Sequence, residues 1–546
     1  MEKRSKRTKE KNSMRRESVV TVGIYAYIGS LIFRIILCRM IGIKGTGYFG
    51  IAAESFVIFS FCISYGLSEA VAALVRYRIK REQYKNAEKV LRCAVILAIV
   101  VGGIFSLAFL FFGQLFAEKV VGLPLSGLAV QMMAPALVFG SLSGVYRGYF
   151  QGNGTRVPTV HSKILEMVLF YAGGLLGCGL LHGYGEKVSA LLQNEDYAAA
   201  YGAMGATVGF LVSSVFCLLH LMFLAFVYRR NSKRLLQNDT LRYQEKNGHI
   251  LHMLISAALP AVLYALVFHC LPLLDGCLYL HMAKEGVQAD LAWGNYYGKY
   301  LTITGIVGSL IALTGIEPVR RIMTFIEREE YRLAKERTGI MIHQLLLISV
   351  PAAIFTAVLA ENILHLLFCG NNTKEASYLM WGCFGIPFYV LAIVFLNMLV
   401  RLKKMKPVVA CGGIAVLTHA ILVYVLLHNT GLDILAPVIG GIVFYLILAG
   451  FGFLLLCRSL QYTQEWIRSV AFTVITAGIA GLIIMLINRV LTPAAGTTVS
   501  LFVCLPVGML VYIILLTVTR AVSEKEMESM KGGGVLMAVA RLLHFM

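Results

Sequence analysis

Charge is scarce in this 546-residue chain: Asp, Glu, Lys and Arg make up 14% of it, against 58% for hydrophobic residues. Soluble domains are roughly 25% charged and about 45–50% apolar, so a soluble enzyme, a disordered chain and a fibre are excluded. Acidic residues are the scarcer sign, 29 against 49 basic ones, for a net charge of +20. The twelve cysteines make no C-x-x-C pair and no Cys/His cluster with metal-ligand spacing, so no zinc site, other metal site or disulfide framework is expected. Most of them, including Cys38, Cys62, Cys93, Cys178, Cys217 and Cys411, sit in apolar stretches as packing thiols. A G-x-x-x-x-G-K-[ST] phosphate loop is missing, so ATP hydrolysis is not expected and no cofactor is implied. The first apolar segment is too long for a signal h-region and no small-residue cleavage site follows it, so no cleavable leader is expected.

What the chain does have is long hydrophobic runs. A membrane helix needs about 20 apolar residues, and fourteen candidate spans fall near 19–41, 48–75, 93–117, 127–150, 158–182, 201–228, 250–280, 291–316, 338–369, 376–400, 407–428, 431–457, 466–488 and 497–519. They are numbered 1 to 14 below. The expected fold is therefore an all-α polytopic membrane protein with membrane lipids around it. Of the 49 basic residues, 40 lie in alternate connections, beginning with the arm from Lys3 to Arg16. By the positive-inside rule this places both termini in the cytoplasm, in a multi-pass protein of the cytoplasmic (inner) membrane. The basic arm then reads as an orientation signal, and nucleic acid is not expected as a partner.

An internal repeat organises the spans. Tyr48-Phe49-Gly50 recurs as Tyr296-Tyr297-Gly298 and Glu69 as Glu317, both at a lag of 248; Arg81-Glu82-Gln83-Tyr84 recurs as Arg328-Glu329-Glu330-Tyr331 at 247, and Pro158 as Pro407 at 249. Six spans fit in one lag, and an even number makes the repeat parallel, two lobes about an axis along the membrane normal. The expected organisation is a basic cytoplasmic arm (1–18), a first lobe of spans 1–6 (19–228), a basic linker (229–249), a second lobe of spans 7–12 (250–457), spans 13–14 (458–519) and a tail (520–546). The tail's residues 534–546, with Arg541 and His544, read as an interfacial helix or a frayed end. Two such lobes suit alternating access, with a path between them near the midplane.

A charge inside the bilayer costs roughly 2.5–3.5 kcal/mol on insertion scales, so such residues face a cavity or a partner. Arg34 in span 1 and Glu54 in span 2 lie six or seven residues from the outer ends of antiparallel helices. At about 1.5 Å per residue they share a depth of roughly 10 Å, to pair or to line a path together. Lys299 enters span 8 at a similar depth, and span 5 carries His161, Lys163 and Glu166, with Glu166 deeper. Glu69, Glu317 and Lys163 are secondary candidates because each is within reach of the headgroups. Arg34 and Lys299 favour an anionic head group, since Arg offers a permanent charge on a planar donor fork. Glu54 and Glu166 keep a cation or drug antiporter open, and a membrane-embedded glycan enzyme of ligase type is a third reading.

Phe33-Arg34-Ile35 through Ile41-Gly42, Gly45, Gly47 and Phe49-Gly50 resembles the first-helix signature of the stage V sporulation protein B-like polysaccharide flippases. These are members of the multidrug/oligosaccharidyl-lipid/polysaccharide superfamily and relatives of the lipid II flippases. The more specific likeness is Pro135-Ala136-Leu137, then Arg147-Gly148-Tyr149-Phe150-Gln151-Gly152, Pro158-Thr159, Ser162 and Glu166. The resemblance covers the first twelve spans. It implies a two-lobed flippase, acting as a monomeric unit, that exports a lipid-linked (undecaprenyl-diphosphate) glycan precursor of peptidoglycan or another envelope polymer. It marks Arg34, Arg147, Gln151 and Glu166 as matching positions; an ion gradient or the membrane potential is the implied energy source. The chain departs from the pattern at Ser68, where a proline is usual, in the basic stretch Leu399 to Lys406, and in a connection from Gly183 to Ala200 that is longer than its counterpart in the second lobe.

Overall fold

The structure is a computed structural model. It describes residues 2–237, 239, 245–283, 288–368, 372–464, 467–522, 526–527, 533–534 and 537–538; for 2–19, 229–237 and 467–468 only the backbone is described. The described elements are all helical. The segment 534–546 of the sequence reading lies almost entirely outside the described residues.

Among the described residues, twelve helices are long and apolar enough to cross a membrane, and a thirteenth span is the pair Pro124–Met133 and Ala136–Gly152, bent by 43°. The first of the twelve, Val20–Ile79, has 60 residues and passes twice. Gly42 breaks it at φ 72°, ψ −179°, a left-handed φ that glycine adopts without a Cβ penalty. Sixteen residues of straight helix would hold Phe33 and Phe49 about 24 Å apart, yet their ring centroids are 5.9 Å apart. Spans 1 and 2 are thus a hairpin folded at Gly42, which brings the passages to the expected fourteen.

The repeat is visible in the backbone. Glu82 (φ 59°) and Glu329 (φ 63°) are both left-handed just before the helices Tyr84–Leu115 and Tyr331–Val358. Gly154 (φ 85°) and Lys403 (φ 60°) play the same part before Val157–Leu192 and Met405–Asn429. Span 4 breaks at Ala134 and Pro135, and span 10 breaks at the matching place, Cys383–Gly385.

The expected long connection from Gly183 to Ala200 is instead mostly helix. Val157–Leu192 and Asp196–Gln237 extend spans 5 and 6 well beyond the ~20 residues that a bilayer requires. Glycines let their backbones touch: a Cβ on Gly205 would lie 2.2 Å from the Gly177 carbonyl oxygen. Span 7, expected as one run, breaks between Asn247–His269 and Leu271–Met282, with Pro272 at the second helix's start. Its first helix packs on the first lobe, Ile250, Leu254 and Ala258 clustering with Leu67, Val71 and Val90. Its second helix is tied to span 11 by Asp275 and His419. Span 7 therefore bridges the lobes.

Spans 13 and 14 are anchored to span 9. Asn362 Nδ2 donates to Asn488 Oδ1 at 3.0 Å and to the Thr497 carbonyl at 2.9 Å, and Tyr512 Oη donates to the Leu347 carbonyl at 3.0 Å. On the side opposite the expected cytoplasmic ends the lobes touch. Trp293 Nε1 donates to the Gly47 carbonyl at 3.3 Å, and Lys44 Nζ stands 2.9 Å from Asp290 and 3.1 Å from Asp196.

Candidate functional site

A cavity of about 640 Å³ opens between spans 1, 2, 5, 6 and 8. It runs from Arg34, Glu54 and Tyr297 to Val22, Thr159 and Leu313, at the ends that the charge pattern assigns to the cytoplasm. One wall is aromatic. Phe56 and Phe170 stack on Phe210 at 4.2 and 4.5 Å, and Tyr171 stacks on Phe33 at 5.4 Å.

The Gly42 fold brings Arg34 and Glu54 together across the hairpin, as their spacing from the turn requires. Tyr297 stands between them. It comes from Tyr296–Leu301, a stretch of wide π-type turns in span 8 that points Tyr297 at the first lobe while Tyr296 reaches Asp275 in the second. Such turns concentrate at functional sites. Arg34 donates from Nη1 to Thr302 Oγ1 at 3.1 Å and from Nη2 to Tyr297 Oη at 3.2 Å. Its Cζ lies 4.7 Å from the Tyr297 ring centroid, a cation–π contact worth about 0.5–2 kcal/mol. Each of these contacts is to a neutral group. Glu54 faces the Arg34 charge through space and shares the Tyr297 hydroxyl.

The second polar group on the wall comes from the Arg147 to Glu166 series. Arg147 is 4% exposed. Its Nη2 donates to Glu166 Oε2 at 2.6 Å and to Cys217 Sγ at 3.0 Å, and its Nε donates to Ser162 Oγ at 3.0 Å. Lys163 Nζ reaches the same Glu166 oxygen at 3.0 Å. Arg147 thus knits spans 4, 5 and 6 from behind the wall, while Lys163 and Glu166 line the cavity. Counting Arg34, Glu54, Arg147, Lys163 and Glu166 as ionised, the cavity and its backing carry one net positive charge.

The other sequence candidates lie elsewhere. Lys299 does not line this cavity. It is buried beside residues 372–375, with Nζ 2.8 Å from Asn372 Oδ1 and 3.7 Å from Glu375 Oε1, because its turn of span 8 faces the second lobe. Lys163 is the second cation at the cavity in its place. Gln151 donates to Thr159 Oγ1 at 3.4 Å, next to the lining and outside it. Glu317 pairs with Arg320 and Arg321 on its own helix at 3.7 and 3.5 Å, and Glu69 is exposed near Tyr65 and Arg401. Sequence reasoning missed Tyr297 as a site residue, although the repeat pairs it with Phe49 and both line the cavity.

The pattern of a family described as polysaccharide biosynthesis protein matches residues 18–243, and that of the MatE family matches 325–425. Stage V sporulation protein B of Bacillus subtilis (strain 168) is 24% identical over 242 residues, a match covering 44% of each chain. Lipid II flippase MurJ of the same organism is 22% identical over 501 residues, 87% of this chain and 88% of that one. Among solved structures, lipid II flippase MurJ in an inward closed conformation superposes with TM-score 0.65 at 16% identity, over 92% of this chain and 98% of that one. An inward-facing multidrug resistance MATE family transporter of the MOP superfamily does so with TM-score 0.64 at 15% identity, over 80% and 94%. Together these matches support a flippase-like multi-pass membrane protein, similar to lipid II flippase MurJ and to MATE transporters. MurJ is a flippase and the MATE protein a transporter, and neither is an enzyme, so the ligase reading is dropped.

Proposed function

We propose that the chain is a monomeric alternating-access flippase that carries a lipid-linked anionic glycan, a polyprenyl-diphosphate precursor of peptidoglycan or another envelope polysaccharide, from the cytoplasmic to the outer leaflet. Both termini and the cavity mouth lie on the cytoplasmic side in this reading. The observation that carries it is Arg34: a permanent charge in the cavity, held by a ring and two hydroxyl-bearing side chains, with its fork free to exchange them for phosphate oxygens. Lys163 adds a second cation, and the aromatic wall suits apolar faces of sugar rings and the first isoprene units. The lipid tail stays in hydrocarbon while the head crosses in the cavity, so no bare charge meets lipid.

Binding of a polyprenyl-diphosphate sugar to purified full-length protein, read by native mass spectrometry, tests this. Arg34→Ala weakens binding about ten- to a hundred-fold, the worth of hydrogen bonds to a charged group, and Arg34→Lys retains part of it. The second reading, antiport of a lipophilic cation, is favoured by Glu54 and by the MatE match. It wins if organic cations bind in a Glu54-dependent way and the diphosphate binds equally to wild type and Arg34→Ala.

A further inference from the structure

The basic stretch Leu399 to Lys406, where the chain departs from the family pattern, lines no part of the substrate cavity. Its first charge, Arg401, ends the helix Ile386–Arg401 of span 10, and its Nε donates to Asn397 Oδ1 one turn back at 3.1 Å. Asn397 and Arg401 are exposed while Leu396, Met398 and Leu399 are buried, so this face of span 10 looks away from the core of its own lobe. Arg401 lies within charge–charge range of Arg320 on its own lobe and of Arg156, Tyr65 and Glu69 on the first. Arg156 stands in the turn between spans 4 and 5, just before the helix Val157–Leu192 that carries Thr159 of the cavity lining. Guanidinium groups of both lobes thus meet across the seam at the cytoplasmic mouth. Like charges gathered this way repel, and the local acids do not cancel them. Glu317 is shared by Arg320 and Arg321. Among the described residues the side chains of Glu69 and Arg156 make no ion pair, and the only hydrogen bond of Arg401 is the one to Asn397.

We propose that Arg156, Arg320 and Arg401 form a phosphate-binding site at the cytoplasmic mouth, and that an anion held there draws the two lobes together. Each guanidinium offers a planar fork of donors that matches phosphate oxygens. A phosphate group between them turns charges that repel into an attraction that crosses the seam, from Arg156 on one side to Arg320 and Arg401 on the other. Without the anion, repulsion favours an open mouth. The ligand chemistry is a phosphate or diphosphate head, because a single carboxylate such as Glu69 leaves most of the positive charge unmatched and a cation is repelled. Its source is either a headgroup of the inner leaflet or a diphosphate on its way into the cavity. The site does not depend on what the cavity carries, since Arg34 takes no part in it and lies at the opposite end of the lining from Thr159.

Pulsed electron paramagnetic resonance on the full-length protein, with nitroxides at Lys80 and Glu327, both exposed at cytoplasmic turns of the two lobes, reads the width of the mouth. One arm adds inorganic diphosphate to protein in phosphatidylcholine nanodiscs, and the other uses phosphatidylglycerol nanodiscs without it. In wild type the anion shortens the separation. Arg401→Gln or Arg156→Gln raises the diphosphate concentration for half the effect about ten-fold or more, the worth of hydrogen bonds to a charged group, and Arg401→Lys recovers part of it. Arg34→Ala leaves the response unchanged, so failure of this site and failure of the flippase reading are distinguishable. Arg401-dependent shortening by phosphatidylglycerol alone identifies a bilayer headgroup as the anion, and shortening only by added diphosphate identifies a free or substrate diphosphate. No shortening in either arm, equal shortening in Arg401→Gln, a response lost in Arg34→Ala, or the same shortening from potassium chloride at matched ionic strength overturns the site.

Discussion

Lys44 is an ionic link between the lobes on the side opposite the expected cytoplasmic ends. Its ammonium bridges Asp196, within the first lobe, and Asp290, at the start of span 8. Only the Asp290 bond crosses between lobes. The two side chains of that pair are 31% and 24% exposed, so the contact belongs at the upper end of the ~0.2–1 kcal/mol range of exposed pairs. Asp290→Asn should therefore raise the outward-open to closed ratio by about two- to five-fold. Trp293 on Gly47 and the Gly294 approach remain, so the closed form stays populated. Asp196→Asn leaves the crossing bond and serves as the control. Pulsed electron paramagnetic resonance between nitroxides at Asn194 and Lys374, both exposed and opposite the expected cytoplasmic ends, reads the separation, and 1 M salt, by screening the pair, mimics the effect. An Asp290→Asn distribution equal to wild type, or an equal shift from Asp196→Asn, refutes the assignment.

Arg147→Met should destabilise the first lobe by about 3 kcal/mol, because it strips a buried ion pair and leaves Glu166 with Lys163 alone; fluorescence-detected size exclusion after heating measures it, and the double variant with Glu166→Gln should recover part of the loss. Gly205→Ala forces the helices of spans 5 and 6 apart, since its Cβ would sit 2.2 Å from a carbonyl oxygen, at a cost of about 1–3 kcal/mol in the same assay. Asn362→Leu removes the three side-chain bonds by which span 9 holds the start of span 14 and its neighbour Asn488; protease sensitivity between spans 13 and 14 should rise while the rest of the chain stays protected.

Hydropathy and charge periodicity made the spans legible, because a bilayer imposes length and side on every helix. The repeat was legible at the turns, where Arg81–Tyr84 and Arg328–Tyr331 keep the same backbone break. The extended helices around Gly183 to Ala200 were not, since polar residues beyond the bilayer read equally as loop or as helix. Depth along a helix was enough to bring Arg34 and Glu54 to one cavity, which they line together. Rotation about the helix was not: the wide turns of Tyr296–Leu301 change the residues per turn, so Lys299 faces the second lobe and Tyr297 faces Arg34. Asp275 and His419 stood in the sequence as intramembrane ionisable residues, and only three dimensions bring them together.

In the proposed function Arg34 handles an anionic, carrier-linked glycan. The direct measurement is the leaflet distribution of polyprenyl-linked sugars in cells depleted of the protein, lacking any redundant flippase, and complemented with wild type or Arg34→Ala. Accumulation on the cytoplasmic leaflet is expected on depletion, cleared by wild type and not by an equally expressed Arg34→Ala. Carrier-linked sugars that stay evenly distributed on depletion, or are cleared equally well by Arg34→Ala, would contradict it.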